Sequence, residues 1–204
     1  ILAPYAARTG GRYTATSVDL TNPNLTPAAR QGRDAFAARY ADASVYGKVE
    51  LVNWGATAAP LAANSYDFIL LSRVIHGWMR VEGLLDRHFA NLAGSLKPGG
   101  VLAIEQHREN PGPQDPMAES GYVTEAFVIE AAERTGLRLA ARSEINANPK
   151  DTKDHPFGVW TLPPTRITVP YGSGKAPDPN FDRSKYDAIG ESDRMTLRFV
   201  KAIP

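Results

Sequence analysis

Apolar and polar positions follow each other in short segments that predict strands. The stretch "RYTATSVDL" (12–20) alternates and is rich in β-forming residues, and "VELVNW" (49–54) predicts the next strand. The stretch "YDFILLS" (66–72) is a nearly continuous apolar run, which is typical of a strand buried on both faces. Further strands are predicted at 101–106, 137–145 and 194–201.

Helices are predicted between these strands. The segment "ILAPYAAR" (1–8) has the pattern of a helix end closed by Gly10 and Gly11, and Thr26 and Pro27 begin a helix that extends to residue 41. Apolar side chains and His88 share one helical stripe in 81–96, and 124–136 forms the last helix. Alternating strands and helices predict an α/β fold with an open, doubly wound, mainly parallel sheet.

Composition narrows this picture to one ordinary domain spanning 1–204, with 43% apolar and 22% charged residues. The formal net charge of +1 gives no sign of a nucleic-acid partner, and the apolar runs are too short for a membrane span. Absence of cysteine excludes disulfides, thiolate nucleophiles and cysteine-ligated zinc. The segment 146–193 is rich in Pro, Gly, Asp and Asn, and is predicted to be one long irregular, lid-like excursion.

The stretch "YDFILLSRVIHGW…LLDRHFANLAGSLKPGGVLAIEQH" resembles the second half of class I S-adenosylmethionine-dependent methyltransferases. The strands 137–145 and 194–201 resemble the antiparallel hairpin that closes that fold, and the C-terminal part is similar to a bacterial group of predicted methyltransferases. The family's first strand and glycine-rich loop should precede the helix at 1–8. Loss of that strand would leave a gap in strand pairing. We therefore expect an incomplete chain, with an upstream segment that carries the strand and the loop; the alternative is a whole molecule that does not bind the cofactor.

The resemblance implies which residues hold S-adenosylmethionine. Asp19, at the end of a strand, would accept hydrogen bonds from the ribose hydroxyls. The loop Gly55, Ala56 and Thr57 takes the place where relatives often carry an acid near the adenine, and here a backbone amide or the Thr57 hydroxyl would serve. Ser72 and Arg73 would line the methionine side of the cofactor. The alternative for Asp19 is that it only caps the following turn.

Candidate catalytic residues come from the ends of two predicted strands. His76 and His107 are candidate general bases, and alternation would place Glu105 beside His107, where it would orient the imidazole. The alternative is a strand that simply reaches water at 105–108.

Trp78, Arg108 and Trp160 are candidate acceptor contacts, although His76 and Trp78 equally fit helix packing against the sheet. The four histidines lack the spacing of metal ligands, so no metal is expected.

The predicted function is methyl transfer from S-adenosylmethionine to an unidentified small molecule. One alternative is a catalytically silent binding protein on the same fold, and a weaker one is a nicotinamide-dependent oxidoreductase. A small-molecule substrate is the expected partner, without nucleic acid or membrane, and a homodimer stays open. Dependence on S-adenosylmethionine favours the cytoplasm, with the periplasm left open.

Overall fold

The computed structural model describes residues 2–203, which divide into a first compact unit that ends at Pro60 and a second that begins at Leu61. Ile1, part of the first predicted helix, lies outside the described residues. That the whole chain forms one methyltransferase-like domain stays a prediction.

The first unit contains two parallel strands and three helices. Thr26 begins the second helix as predicted, because its Oγ1 accepts a hydrogen bond from the Ala29 amide at 3.2 Å. Arg33 of that helix donates from Nη1 to Val18 O (2.8 Å) and Asn53 Oδ1 (3.0 Å), which ties the helix to both strands. The elements are α1 (Leu2–Arg8), β1 (Tyr13–Val18), α2 (Pro27–Arg39), α3 (Ala43–Tyr46) and β2 (Val49–Trp54).

The second unit carries the larger sheet and the long excursion. Its elements are β3 (Tyr66–Ser72), α4 (Ile75–Trp78), α5 (Leu84–Ser95), β4 (Leu96–Glu109), β5 (Val123–Thr124), α6 (Glu125–Glu133), β6 (Leu137–Ser143), α7 (Ser184–Ile189) and β7 (Arg194–Lys201). A 3-10 turn spans Gly158–Thr161 within the excursion.

The strands of the second unit follow the order β3-β4-β7-β6, with β5 paired to the far end of β4. β3 and β4 are parallel, as expected for strands joined through a helix, while β7 runs antiparallel to both β4 and β6. The predicted α/β fold with an antiparallel closing pair is confirmed. The described strands form two sheets, β1-β2 and the sheet of the second unit.

The core of the second unit lies between one face of its sheet and the helices α5 and α6. Leu102 and Ile104 of β4 and Phe199 of β7 are fully buried, as are Phe89 of α5 and Val128 of α6. Each such side chain contributes about 1.5–3 kcal/mol through removal of apolar surface from water. This packing holds β4 rigidly and thereby fixes the side chains at its carboxyl end.

Two details of the predicted elements need correction. The strand 66–72 is not buried on both faces: it lies at the edge of its sheet, and Phe68 and Leu70 are 55% and 47% exposed. The predicted helix 81–96 begins only at Leu84, so Val81 is exposed, and Leu96 already belongs to β4.

The strand β4 also differs from its prediction at both ends. Residues 97–100 form a bulge inside it, because Tyr66 pairs with Leu96 while Phe68 already pairs with Val101. At its other end the strand does not stop at Gln106 but continues to Glu109, since β7 and β5 provide it with pairing partners. The ionisable side chains at 105–108 therefore lie within a paired strand and not in a frayed end.

Candidate functional site

Asp19, which follows β1 in the first unit, is the centre of a small hydrogen-bonded group. Its Oδ1 accepts from the Thr21 amide (2.9 Å) and the Thr21 hydroxyl (2.7 Å), and its Oδ2 accepts from the Thr57 hydroxyl (2.7 Å). We call Asp19, Thr21 and Thr57 the carboxylate cluster. Hydrogen bonds from the Thr57 hydroxyl and then from Thr21 lower the pKa of Asp19, so the group is held as a carboxylate.

The carboxylate cluster fits the ribose of S-adenosylmethionine. A carboxylate offers about four acceptor positions, and the three described hydrogen bonds leave capacity for a hydroxyl donor. The 55–57 loop fits less well. The Thr57 hydroxyl already donates its hydrogen bond to Asp19. The loop therefore has its backbone amides left as donors to the adenine side of the cofactor. A Cβ at Gly55 would lie 3.6 Å from the Asp19 Cβ, an ordinary contact, so this position does not require glycine.

The second unit contains a cavity of about 300 Å³ at the carboxyl end of β3. Polar side chains from β3, α4 and β4 form one part of its wall, and residues of the excursion and the start of β7 form the remainder. The lining residues are Ser72, Arg73, His76, His107, Val159, Trp160, Pro163, Pro164, Thr165, Ser192 and Arg194.

Two neutral imidazoles dominate the polar wall. His107 Nδ1 lies 2.6 Å from Ser192 Oγ, and the rings of His107 and His76 have centroids 5.7 Å apart. We call His76, His107 and Ser192 the imidazole cluster. Burial, the neighbouring His76 and the guanidiniums of Arg73 and Arg194 lower the pKa of His107 to about 3. Burial and the nearby Arg80 also lower the pKa of His76.

The predicted pair of Glu105 and His107 does not form. The Glu105 carboxylate instead accepts a short hydrogen bond from Ser72 Oγ, and Arg194 Nε lies 2.7 Å from its Oε1 without hydrogen-bond alignment. Arg73 Nε is 3.7 Å away. Arg194 stands opposite His107 in the β4–β7 register, and a guanidinium attracts a carboxylate more strongly than a neutral imidazole does.

Two predicted acceptor contacts do not line the cavity. Trp78 is 9% exposed and packs its edge against His88 and Phe89 of α5, with ring centroids 4.6 and 6.2 Å apart. Arg108 is paired with Asp193 at 2.9 Å and Glu144 at 2.8 Å. The environment of Trp78 corresponds to its alternative, helix packing, whereas the guanidinium of Arg108 is taken up by an ion-pair network. Trp160, by contrast, lies in the cavity wall.

Close contacts hold the excursion against the strand ends. The buried Asp151 carboxylate accepts from the Tyr122 hydroxyl (2.9 Å) and the Asp193 amide (2.7 Å), and lies 2.7 Å from His155 Nε2. Because Asp193 follows Ser192, this buried acid also anchors the backbone next to Ser192. Gly158 has φ +59°, and a Cβ there would overlap the Ser120 carbonyl oxygen.

Ser192 and Arg194 are functional candidates that the sequence prediction missed. They stand 85 residues or more beyond His107 along the chain, Ser192 just before the last predicted strand and Arg194 at its first residue. The signal that was present is the position of Arg194 at the start of β7, which antiparallel pairing brings beside the carboxyl end of β4.

Residues 2–203 contain no group of three or more His, Cys, Asp or Glu side chains that could hold a metal ion. No helix in this described part of the chain has the length and apolar character needed to span a membrane.

Residues 1–104 match the model of a protein family described as a methyltransferase domain. No curated protein matches the chain significantly. A methyltransferase from Methanosarcina mazei has a similar fold, with TM-score 0.53 and 13% identity over 100% of this chain and 88% of that one.

A TehB-like methyltransferase from Corynebacterium glutamicum gives TM-score 0.50 and 15% identity over 98% and 73% of the two chains. The 1,6-didemethyltoxoflavin-N1-methyltransferase from Burkholderia thailandensis gives 0.51 and 14% over 97% and 64%. Each of these similarities concerns the fold.

The α/β architecture is thus that of a class I S-adenosylmethionine-dependent methyltransferase. Since the family model covers half of the chain, the chain belongs to the methyltransferase domain family. The similarity of its C-terminal part to a bacterial group stays a prediction.

Proposed function

We propose that this protein transfers a methyl group from S-adenosylmethionine to a small-molecule acceptor bound in the cavity of the second unit. The observation that carries the proposal is a methyltransferase-family chain with a polar cavity of about 300 Å³, lined by His76 and His107. Cavities of this size lie at the lower end of the range for small-molecule sites.

The proposed cofactor contacts are Asp19 for the ribose, backbone amides of Gly55, Ala56 and Thr57 for the adenine side, and Ser72. When bound, S-adenosylmethionine supplies an electrophilic methyl group on a positively charged sulfur. The Ser72 hydroxyl donates a hydrogen bond to Glu105. Its lone pairs can therefore accept a hydrogen bond from a donor such as an ammonium group. Arg73 is predicted to contact the cofactor, but its guanidinium is equally suited to contact the acceptor.

His107 is the proposed proton acceptor. Its neutral imidazole is hydrogen-bonded to Ser192, and a pKa near 3 makes it a weak base. It is therefore suited to an acceptor that is acidic or already deprotonated, for which alignment provides most of the rate. Glu105 acts as a positioning residue through Ser72 and Arg194, and Trp160 contacts the acceptor. Trp78 and Arg108 are left out of this assignment.

Calorimetric titration of S-adenosylhomocysteine into the full-length protein tests the cofactor part. Incubation with S-adenosylmethionine labelled on its methyl group and a small-molecule extract tests transfer. We expect saturable binding and a labelled product. Binding without any labelled product would support the silent binding protein, and binding of neither cofactor form would refute the proposal.

A further inference from the structure

The side chain of Gln106 determines the tautomer of His76. Gln106 is fully buried, and its Oε1 accepts from the Ile75 amide at 3.2 Å while its Nε2 donates to Gly121 O at 3.3 Å. These two backbone groups have unambiguous roles, so the amide cannot be flipped. The Gln106 NH2 group therefore faces His76 Nδ1, 3.2 Å away.

This contact assigns the His76 proton. Because an amide NH2 only donates, His76 Nδ1 must accept, and the ring proton lies on Nε2. His76 lines the cavity, and Nε2–H is its remaining polar group. The wall thus contains a neutral N–H donor whose tautomer is set by groups that do not titrate.

Arg73 provides the second donor, at the carboxyl end of β3. Its backbone adopts φ +52°, an unusual conformation for a residue other than glycine, and its amide donates to Glu105 O at 2.8 Å. Its side chain is 42% exposed and reaches a carboxylate only at 3.7 Å, through Glu105.

The positive charge of Arg194, the other guanidinium in the wall, is balanced by closer carboxylates than that of Arg73. It is 15% exposed, lies 2.7 Å from Glu105 and forms a short ion pair with Glu191. Among the lining residues, Arg73 is therefore the cation with capacity for a ligand.

The remainder of the wall selects for a small anion with an apolar body. The lining residues that the structure describes include no Asp or Glu. Val159, Pro163 and Pro164 provide apolar surface. The guanidiniums that help to lower the pKa of His107 would equally favour a negative charge in the same space.

We propose that the cavity takes a small carboxylate-bearing acceptor, with the carboxylate held by the Arg73 guanidinium and the His76 Nε2–H. A guanidinium fork matches a planar carboxylate in two parallel hydrogen bonds. Because Arg73 is a single positive charge without a close carboxylate, it suits a ligand with one negative charge better than a phosphate dianion. This inference rests on the proposed function, and it assigns Arg73 to the acceptor in place of the cofactor.

Benzoate is the probe, and benzamide is its neutral counterpart of the same shape. We expect benzoate to bind the full-length protein saturably in an NMR titration, and benzamide to bind at least about tenfold more weakly. Arg73→Gln should weaken benzoate binding by about 10- to 100-fold, the effect of losing a charge-assisted pair. Arg73→Lys should restore part of it. Arg138→Gln is the matched control, because Arg138 is exposed on β6 and does not line the cavity.

The tautomer assignment has its own readout, which needs no variant. Long-range nitrogen–proton NMR spectra should show His76 protonated at Nε2 near neutral pH. Protonation at Nδ1 would overturn this part of the inference.

Competition separates this inference from the proposed function. Unchanged or tighter benzoate binding at saturating S-adenosylhomocysteine supports the assignment of Arg73 to the acceptor. Displacement of benzoate would overturn it, as would equal affinity for benzamide or an unaffected Arg73→Gln variant. If S-adenosylhomocysteine binds and benzoate does not, this inference fails and the cofactor part of the proposed function stands.

Discussion

The carboxylate cluster of the first unit and the imidazole cluster of the second both lie at carboxyl ends of parallel strands, yet they offer opposite chemistry. Asp19 is a hydrogen-bond acceptor whose lowered pKa comes mainly from hydroxyl donors. His107 also has a lowered pKa, but burial and nearby positive charge are the causes. The first cluster suits a ligand rich in hydroxyl donors and the second suits an acidic ligand. The carboxyl ends of parallel strands can thus recognise different groups, depending on the partners of the side chains placed there.

The largest effect is expected for Gly158→Ala, which would disrupt the second cluster only. A Cβ there would overlap the Ser120 carbonyl oxygen, and φ is +59°. We expect the free energy of unfolding to fall by about 3 kcal/mol, from backbone strain and overpacking together. Urea unfolding measures the loss.

Gly94→Ala is the matched control, since Gly94 lies in α5 and a Cβ there meets nothing within 4 Å. It should stabilise the protein by about 0.5–1 kcal/mol through helix propensity. Equal stability of the two variants would contradict the tight contact at Gly158.

Asp19→Asn should act on the first cluster only. Loss of a charged acceptor weakens its hydrogen bonds to the ligand, so S-adenosylhomocysteine affinity should fall by about 10- to 100-fold in calorimetry. Asp42→Asn is the control, because Asp42 makes the same pattern of hydrogen bonds to Ser44 at the N-terminus of α3. A similar loss in both variants, or none in Asp19→Asn, would remove Asp19 from the cofactor site.

The smallest effect is a difference in pH dependence. The pKa of His107 is lowered from 6.5 to about 3, so the unfolded chain binds a proton on this residue before the folded protein does. The stability from its neutral form is complete above pH 6.5 and falls as the pH decreases, by at most about 1.4 kcal/mol per pH unit. Asp19 loses its contribution only below its ordinary pKa of 3.8.

Urea unfolding of the wild type and His107→Gln between pH 7 and pH 5 measures this difference. The variant should show the shallower dependence on pH. Identical slopes would mean that His107 is not held neutral by the fold.

The sequence predicted local structure well, because periodicity and caps act over a few residues. Thr26 begins its helix and β2 spans 49–54 as predicted. The pairing of Glu105 with His107 was wrong, because Arg194 from a distant strand takes the carboxylate. Partners of this kind depend on the register of β7 against β4, which no local pattern contains.

More than half of the cavity wall comes from one contiguous stretch between β6 and β7, in the form of Val159, Trp160, Pro163, Pro164, Thr165 and Ser192. Arg73, His76 and His107 come from the strand ends and α4. Because the stretch is contiguous in the gene, a single recombination event can replace it. The sheet and both imidazoles would then be inherited unchanged. Relatives that share this scaffold can diverge in their acceptors by exchanging one segment of the gene.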